Sequence, residues 1–147
     1  MIFDSTIVRS DYSDAASTGF RRIASYIFGA NSASMSIEMT APVLTNTPDP
    51  EDIYEIQFVM PSEHSMEDLP QPNSQNVTLK KVNLGRTAVL RFGGWATEER
   101  ASKYKDKLSD LLAANGYTPK WTFMVAQYNS PWAIPPFRKN EIIVRVK

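Results

Sequence analysis

Residues 121–146 read WTFMVAQ, then YNSPWAIPPFRKNE, then IIVRV. Two strand-like runs, 121–127 and 142–146, flank a connection that carries Pro131, Pro135, Pro136, Trp132 and Phe137. A plain hairpin connection needs only about two to five residues, usually with Gly or Asn-Gly. This one is longer, stiff and apolar. Proline fixes φ and removes a donor, so the loop holds a shape without a ladder of its own. Trp132, Ile134 and Phe137 must then cover something, either the open end of the protein's own core or a ligand.

Working outward, the run that feeds this pair of strands is helical. Thr97 is an N-cap followed by Glu98 and Glu99 in the first turn; Ala101, Tyr104, Leu108, Leu111 and Leu112 keep helical spacing, and Asn115-Gly116 closes the segment. Ahead of it, residues 77–82 and 87–92 read as a hairpin turning near Asn83-Leu84-Gly85-Arg86. Residues 53–60 (IYEIQFVM) alternate, with Tyr54, Ile56, Phe58 and Met60 on the apolar face. Residues 35–46 are strand-like in their second half, and 61–76 form a long polar loop. A first helix runs over 15–28, with capping residues in 11–14 and Gly29 at its end. Residues 2–9 are a short β-prone run.

The order strand, helix, strand, strand thus occurs twice, offset by about 80 residues. The spacing predicts an α+β fold. Two βαββ units, about 1–61 and about 86–147, pair around a pseudo-two-fold into a distorted, mostly antiparallel β-barrel with two external helices. We expect one domain.

On the first helix, at about 100° per residue, Ala16, Gly19, Phe20, Ile23 and Ile27 share the central arc. Ala24 and Phe28 lie past one edge of it, beside Ser17 and Arg21. The apolar stripe is wider than one sheet contact requires. Either a flanking loop covers the surplus, or a flat apolar ligand lies there with Arg21 available for an acid group.

Composition limits the function classes. Across 147 residues, 16 basic and 16 acidic side chains cancel, so nothing calls for nucleic acid or an anionic membrane surface. The chain has no cysteine and one histidine. Disulfides, thiolate catalysis and zinc–cysteine sites are excluded. A Ser–His–Asp device is left with only His64, set in the polar stretch Ser62-Glu63-His64-Ser65. No phosphate-cradling glycine loop, HExxH or EF-hand spacing occurs. Gly93-Gly94 reads as a sharp strand-to-helix turn, and Glu141 as an ion-paired or capping group. No apolar run approaches the about 18 residues of a membrane span, and the start lacks a signal-peptide pattern. A soluble, cytoplasmic, non-enzymatic protein is expected.

Five motifs carry a resemblance. They are Tyr26-Ile27-Phe28-Gly29-Ala30-Asn31; Met39-Thr40-Ala41-Pro42-Val43; Phe58-Val59-Met60-Pro61 leading to Leu69-Pro70-Gln71-Pro72; Arg91-Phe92-Gly93-Gly94; and Tyr128-Asn129-x-Pro131-Trp132 with Phe137-Arg138-Lys139-Asn140-Glu141. In order and spacing they resemble the SOUL/haem-binding protein family over nearly the whole chain. The resemblance implies the doubled βαββ barrel and non-enzymatic binding of haem or a related tetrapyrrole. The groove it implies pairs Ser17, Phe20, Arg21, Ala24 and Phe28 of the first helix with Trp132, Ile134, Phe137 and Arg138 of the last loop. No metal ion is expected, and His64 is the one imidazole available as an axial ligand; Met35, Met39 and Met60 are soft alternatives, the last two better placed in the core. Where the family carries basic and methionine residues on the helix face, this chain has Ser17, Phe20, Ala24 and Ser25. Two other functions stay open: a small-apolar-ligand sensor or effector module of the gyrase-inhibitor-like superfamily, and a protein-interaction domain with no small ligand.

Relatives also place a Tyr-Glu-Val-Arg-like strand ahead of the first one here. Ile2–Arg9 is then expected to be an exposed sheet edge, guarded only by the charges of Asp4 and Arg9. A homodimer joined through that edge strand would satisfy it.

Overall fold

The protein, described from a computed structural model over residues 1–39, 42–128 and 138–147, apart from the Trp121 side chain, contains two helices and seven strands. In chain order these are β1 (Ile2–Arg9), α1 (Tyr12–Ile27), β2 (Val43–Asn46), β3 (Ile53–Val59), β4 (Thr78–Lys81), β5 (Thr87–Gly93), α2 (Glu98–Ala114), β6 (Pro119–Gln127) and β7 (Lys139–Val146). Each helix begins at a side-chain cap. An Asp11 carboxylate oxygen accepts from the Asp14 N–H at 2.8 Å, and the Thr97 hydroxyl accepts from the Arg100 N–H at 3.3 Å. After α1, Gly29 takes φ +123°, which a residue with a Cβ rarely adopts.

All seven strands join one sheet in the order β4-β1-β3-β2-β6-β7-β5, and every described pairing is antiparallel. The first repeat supplies β1-β3-β2 and the second supplies β6-β7-β5. These are mirror-related orders that meet at the β2–β6 pair, so the pseudo-two-fold passes through that junction. Helix α1 packs on β1 and β3, and α2 on β5, β6 and β7. The main core lies between the helices and this face of the sheet, with Tyr54, Ile56, Phe58 and Met60 of the expected apolar face all buried in it. Gly19 brings α1 close to β3: a Cβ placed there would lie 2.5 Å from Cγ1 of Ile56. The opposite face carries a smaller cluster of Phe3, Leu44 and Ala126, with Val82 and Leu84 packed against it.

Three expectations need correcting. Residues 77–82 and 87–92 do not form a hairpin. β4 pairs with β1, β5 pairs with β7, and the two occupy opposite edges of the sheet. The connector between them runs from one edge to the other because its apolar residues Val82 and Leu84 pack into the smaller cluster. The N–H of Val82 donates to the Met1 carbonyl, while Val146 donates to Arg86. For the same reason the sheet is open rather than a hydrogen-bonded barrel: its ends are joined covalently and not by a ladder.

The third correction concerns β1. Ile2–Ser5 is flanked on both sides, by β3 and by β4, and so is not a free edge. Over Thr6–Arg9, where β4 has ended, Arg22 reaches across from α1 and donates to the Ile7 carbonyl at 3.0 Å and the Thr6 hydroxyl at 3.3 Å. The edge on which a homodimer was expected is therefore already occupied over half its length. Asp4, expected to guard that edge as a surface charge, is fully buried instead. Within 35–46, expected to be strand-like in its second half, β2 runs over Val43–Asn46.

Candidate functional site

The two helices sit over the outer parts of the sheet and leave its middle, at the β2–β6 junction, without a helix of its own. A groove of about 1040 Å³ lies there, at the upper end of the range usual for small-molecule sites. Val43 and Thr45 of β2, Ile56 of β3 and Gln127 of β6 form its floor. One wall is the N-terminal half of α1, presenting Tyr12, Ser13, Ala16, Ser17, Phe20 and Arg21. The other is the lead into α2, with Trp95, Ala96, Thr97 and Glu98, and Arg138 comes in from just ahead of β7. A smaller hollow of about 510 Å³ lies at the seam between the sheet edges, around Met1, Val82 and Leu84.

Phe20 packs against Phe58, with ring centroids 5.6 Å apart, and Tyr12 against Tyr54 at 5.5 Å. On the facing wall the Arg138 guanidinium lies 4.4 Å from the centroid of the Trp95 ring. Arg138 is buried, whereas Trp95 is 47% exposed. The lead into α2 is fixed by two donors to its backbone. The Asn140 side-chain amide donates to the Gly94 carbonyl at 2.8 Å and the Phe92 carbonyl at 3.4 Å, and Arg100 donates to the Gly93 carbonyl at 2.6 Å. Gly94 turns the chain at φ +81°. Glu141 pairs with Arg91 at 3.1 Å and accepts from the Tyr128 hydroxyl, as its setting suggested.

Burial is the main cause of each resolved pKa shift. It raises Tyr12, which borders the groove, helped by Tyr54 and Glu98, and also raises Tyr54 in the core behind it, so both phenols stay neutral. It raises Tyr128 to about 12, with the hydrogen bond to Glu141 adding to the effect. Away from the groove, burial lifts the Asp4 carboxyl to about 8.

Of the residues expected from sequence, Ser17, Phe20, Arg21 and Arg138 border this one groove. Ala24 and Phe28 do not. Ala24 is buried, and Phe28 is the C-cap residue of α1 and 64% exposed. The surplus stripe meets different surroundings along the helix. Toward the C-terminus the chain returns across it, with Ile37 donating to the Ile27 carbonyl and the Tyr26 hydroxyl to the Pro70 carbonyl. Toward the N-terminus the stripe opens into the groove. Trp132, Ile134 and Phe137 lie outside the described residues. His64 does not border the groove; its Nε2 is 3.8 Å from Glu63. Among the described residues no cluster of three or more His, Cys, Asp or Glu could hold a metal ion. Nor is any helix long and apolar enough to cross a membrane. Sequence reading missed Trp95 and the floor residues. The repeat held the clue, because a pseudo-two-fold brings the starts of both helices to one place.

The model of the SOUL heme-binding protein family matches residues 2–145. The chain belongs to this family. SOUL relatives include heme-binding protein 2 of Homo sapiens, 31% identical over 145 residues, and that of Mus musculus, 30% over 146. Each match covers 94% of this chain and 70% of the relative. The SOUL chain also shares its fold with the C-terminal domain of EcmrR (TM-score 0.74, 15% identity, 99% of this chain and 90% of that one). A hydrolase from Listeria innocua is similar at TM-score 0.67 and 11% identity, covering 100% of this chain and 87% of that one. At such identities the two solved structures speak to fold alone.

Proposed function

We propose that this chain binds haem or a related tetrapyrrole in the groove between α1 and the lead into α2, and buffers or carries it without transforming it. The observation that carries the reading is the groove itself: about 1040 Å³, floored partly by apolar side chains and bordered by two arginines, Arg21 and Arg138. A flat macrocycle with acid side chains needs that combination of apolar surface and cations. The relatives named heme-binding protein 2 support the ligand class.

The non-enzymatic part rests on the side chains that line the groove. Neither His nor Cys is among them. One carboxylate oxygen of Asp11 and the Thr97 hydroxyl are engaged in capping the helices. Ser13 and Ser17 have no histidine beside them to act as a base. Titration with haemin tests the reading. A stoichiometric shift and sharpening of the Soret band is expected, with affinity several-fold weaker in Arg21→Glu, since charge reversal at an exposed position repels the propionates. No stoichiometric spectral change in the wild-type chain would end the proposal.

A further inference from the structure

Phe20 and Trp95 are two exposed large apolar side chains that border the groove, and they stand on opposite walls. Each is held from within: Phe20 by the Phe58 ring, Trp95 by the guanidinium of Arg138. Each also keeps free surface, 36% and 47%. One exposed aromatic is ordinary on a soluble domain. Two on facing walls of one groove, both braced, form a different arrangement. Trp95 is further fixed through its own backbone lead, because Asn140 and Arg100 hold the carbonyls of Gly94 and Gly93. An indole supported in this way loses little freedom when a second ring is laid against it.

We infer that Phe20 and Trp95 are paired stacking contacts that make the groove select a flat conjugated ring carrying carboxylates, with Arg138 and Arg21 receiving the acid groups. The inference rests on the groove reading above and adds to it the contact residue Trp95 and stacking as the basis of selection. Stacking distinguishes the ring from its bulk: an aliphatic side chain of similar area covers a ligand but offers no π-face. A saturated acid of comparable size gains nothing from the indole beyond area. Asn140 acts on this contact as a positioning residue, since it holds the backbone ahead of Trp95 rather than the ligand.

The experiment uses the intact chain with haemin and with cholate, a saturated polycyclic carboxylate, as probes. Trp95 is half exposed, so Trp95→Leu and Trp95→Phe are both expected to fold. Trp95→Leu gives up the Arg138 stack and should melt about 2–4 °C lower, while Trp95→Phe keeps a ring under the guanidinium and should melt close to the wild type. Trp95→Leu should weaken haemin binding about tenfold, the scale of one aromatic contact. Trp95→Phe should recover most of that loss, and competition by cholate should be unchanged. An equal loss for haemin and cholate would show that Trp95 supplies area only, and overturns the selectivity. Unchanged haemin affinity in Trp95→Leu, with a loss in Arg21→Glu, overturns the inference and leaves the groove reading standing. No loss in either variant overturns both.

Discussion

The Arg138 guanidinium lies over the Trp95 indole, 4.4 Å from the ring centroid, and is buried while the indole remains half exposed. The contact ties two stretches of the family pattern together, Arg91-Phe92-Gly93-Gly94 and Phe137-Arg138-Lys139-Asn140-Glu141. They are also in register as neighbouring strands, Arg91 opposite Glu141 and Phe92 opposite Asn140. Lysine cannot reproduce the planar stack. Arg138→Lys is therefore expected to lose about 1 kcal/mol, the order of a partly desolvated cation–π contact. That corresponds to a melting point lower by about 2–4 °C for a chain of this size. Thermal denaturation followed by circular dichroism decides it, and an unchanged melting point would mean that the stack adds nothing.

Gly19 is where α1 meets β3 most closely. An added Cβ would lie 2.5 Å from Cγ1 and 2.7 Å from Cβ of Ile56, itself buried in the core. In an open helix position Gly→Ala would stabilise by up to about 1 kcal/mol. Here the overpacking is expected to win, costing about 1–3 kcal/mol. Gly19→Ala should lower the urea midpoint, and should lower it less in an Ile56→Ala background, where Cγ1 and Cδ1 are gone, than in the wild type. A higher midpoint in Gly19→Ala alone would show that α1 shifts freely, and that the groove wall is softer than its packing indicates.

Local patterns in the sequence were sufficient for the elements and for most of their buried faces. The alternation at Tyr54, Ile56 and Phe58 marked the core side of β3, and Ala101, Leu108 and Leu112 marked that of α2, where all three are buried. Leu111 keeps helical spacing yet is 45% exposed, because the spacing defines an arc wider than the sheet covers. Which strands meet was harder to see. That β4 lies beside β1, and not beside β5, depends on Val82 and Leu84 finding the cluster around Phe3 and Leu44, a contact between distant residues with no local signature. The same holds for the site. Phe20 and Arg21 were visible as surplus on a helix, whereas Trp95 joins them only once the two-fold brings the helix starts together.

His64 should be dispensable for tetrapyrrole binding. It lies in the loop between β3 and β4, its nearest charged group is Glu63 at 3.8 Å, and it does not border the groove. In His64→Ala the haemin spectrum and affinity are expected to match those of the wild type. A shifted Soret band in that variant would place the iron elsewhere on the molecule.

Asp4 makes stability depend on pH. Its carboxyl is fully buried in β1, neither oxygen has a hydrogen-bond partner among the described residues, and desolvation lifts it from an ordinary 3.8 to about 8. Tyr26, raised to about 12 chiefly by burial, feels Asp4 as a further cause. A group whose folded pKa exceeds its unfolded value holds its proton longer in the folded state. Between the two values the native chain therefore binds more protons than the unfolded chain, and stability falls as pH rises. Asp4 should contribute no penalty below about pH 4, a growing one from there to about pH 8, and a constant one above. Asp4→Asn keeps the shape without the ionisation, so its stability should be flatter across that window and exceed that of the wild type at pH 8–9. Urea denaturation of both chains at several pH values checks the sign. Parallel curves would show that Asp4 finds a partner or a route to water in solution.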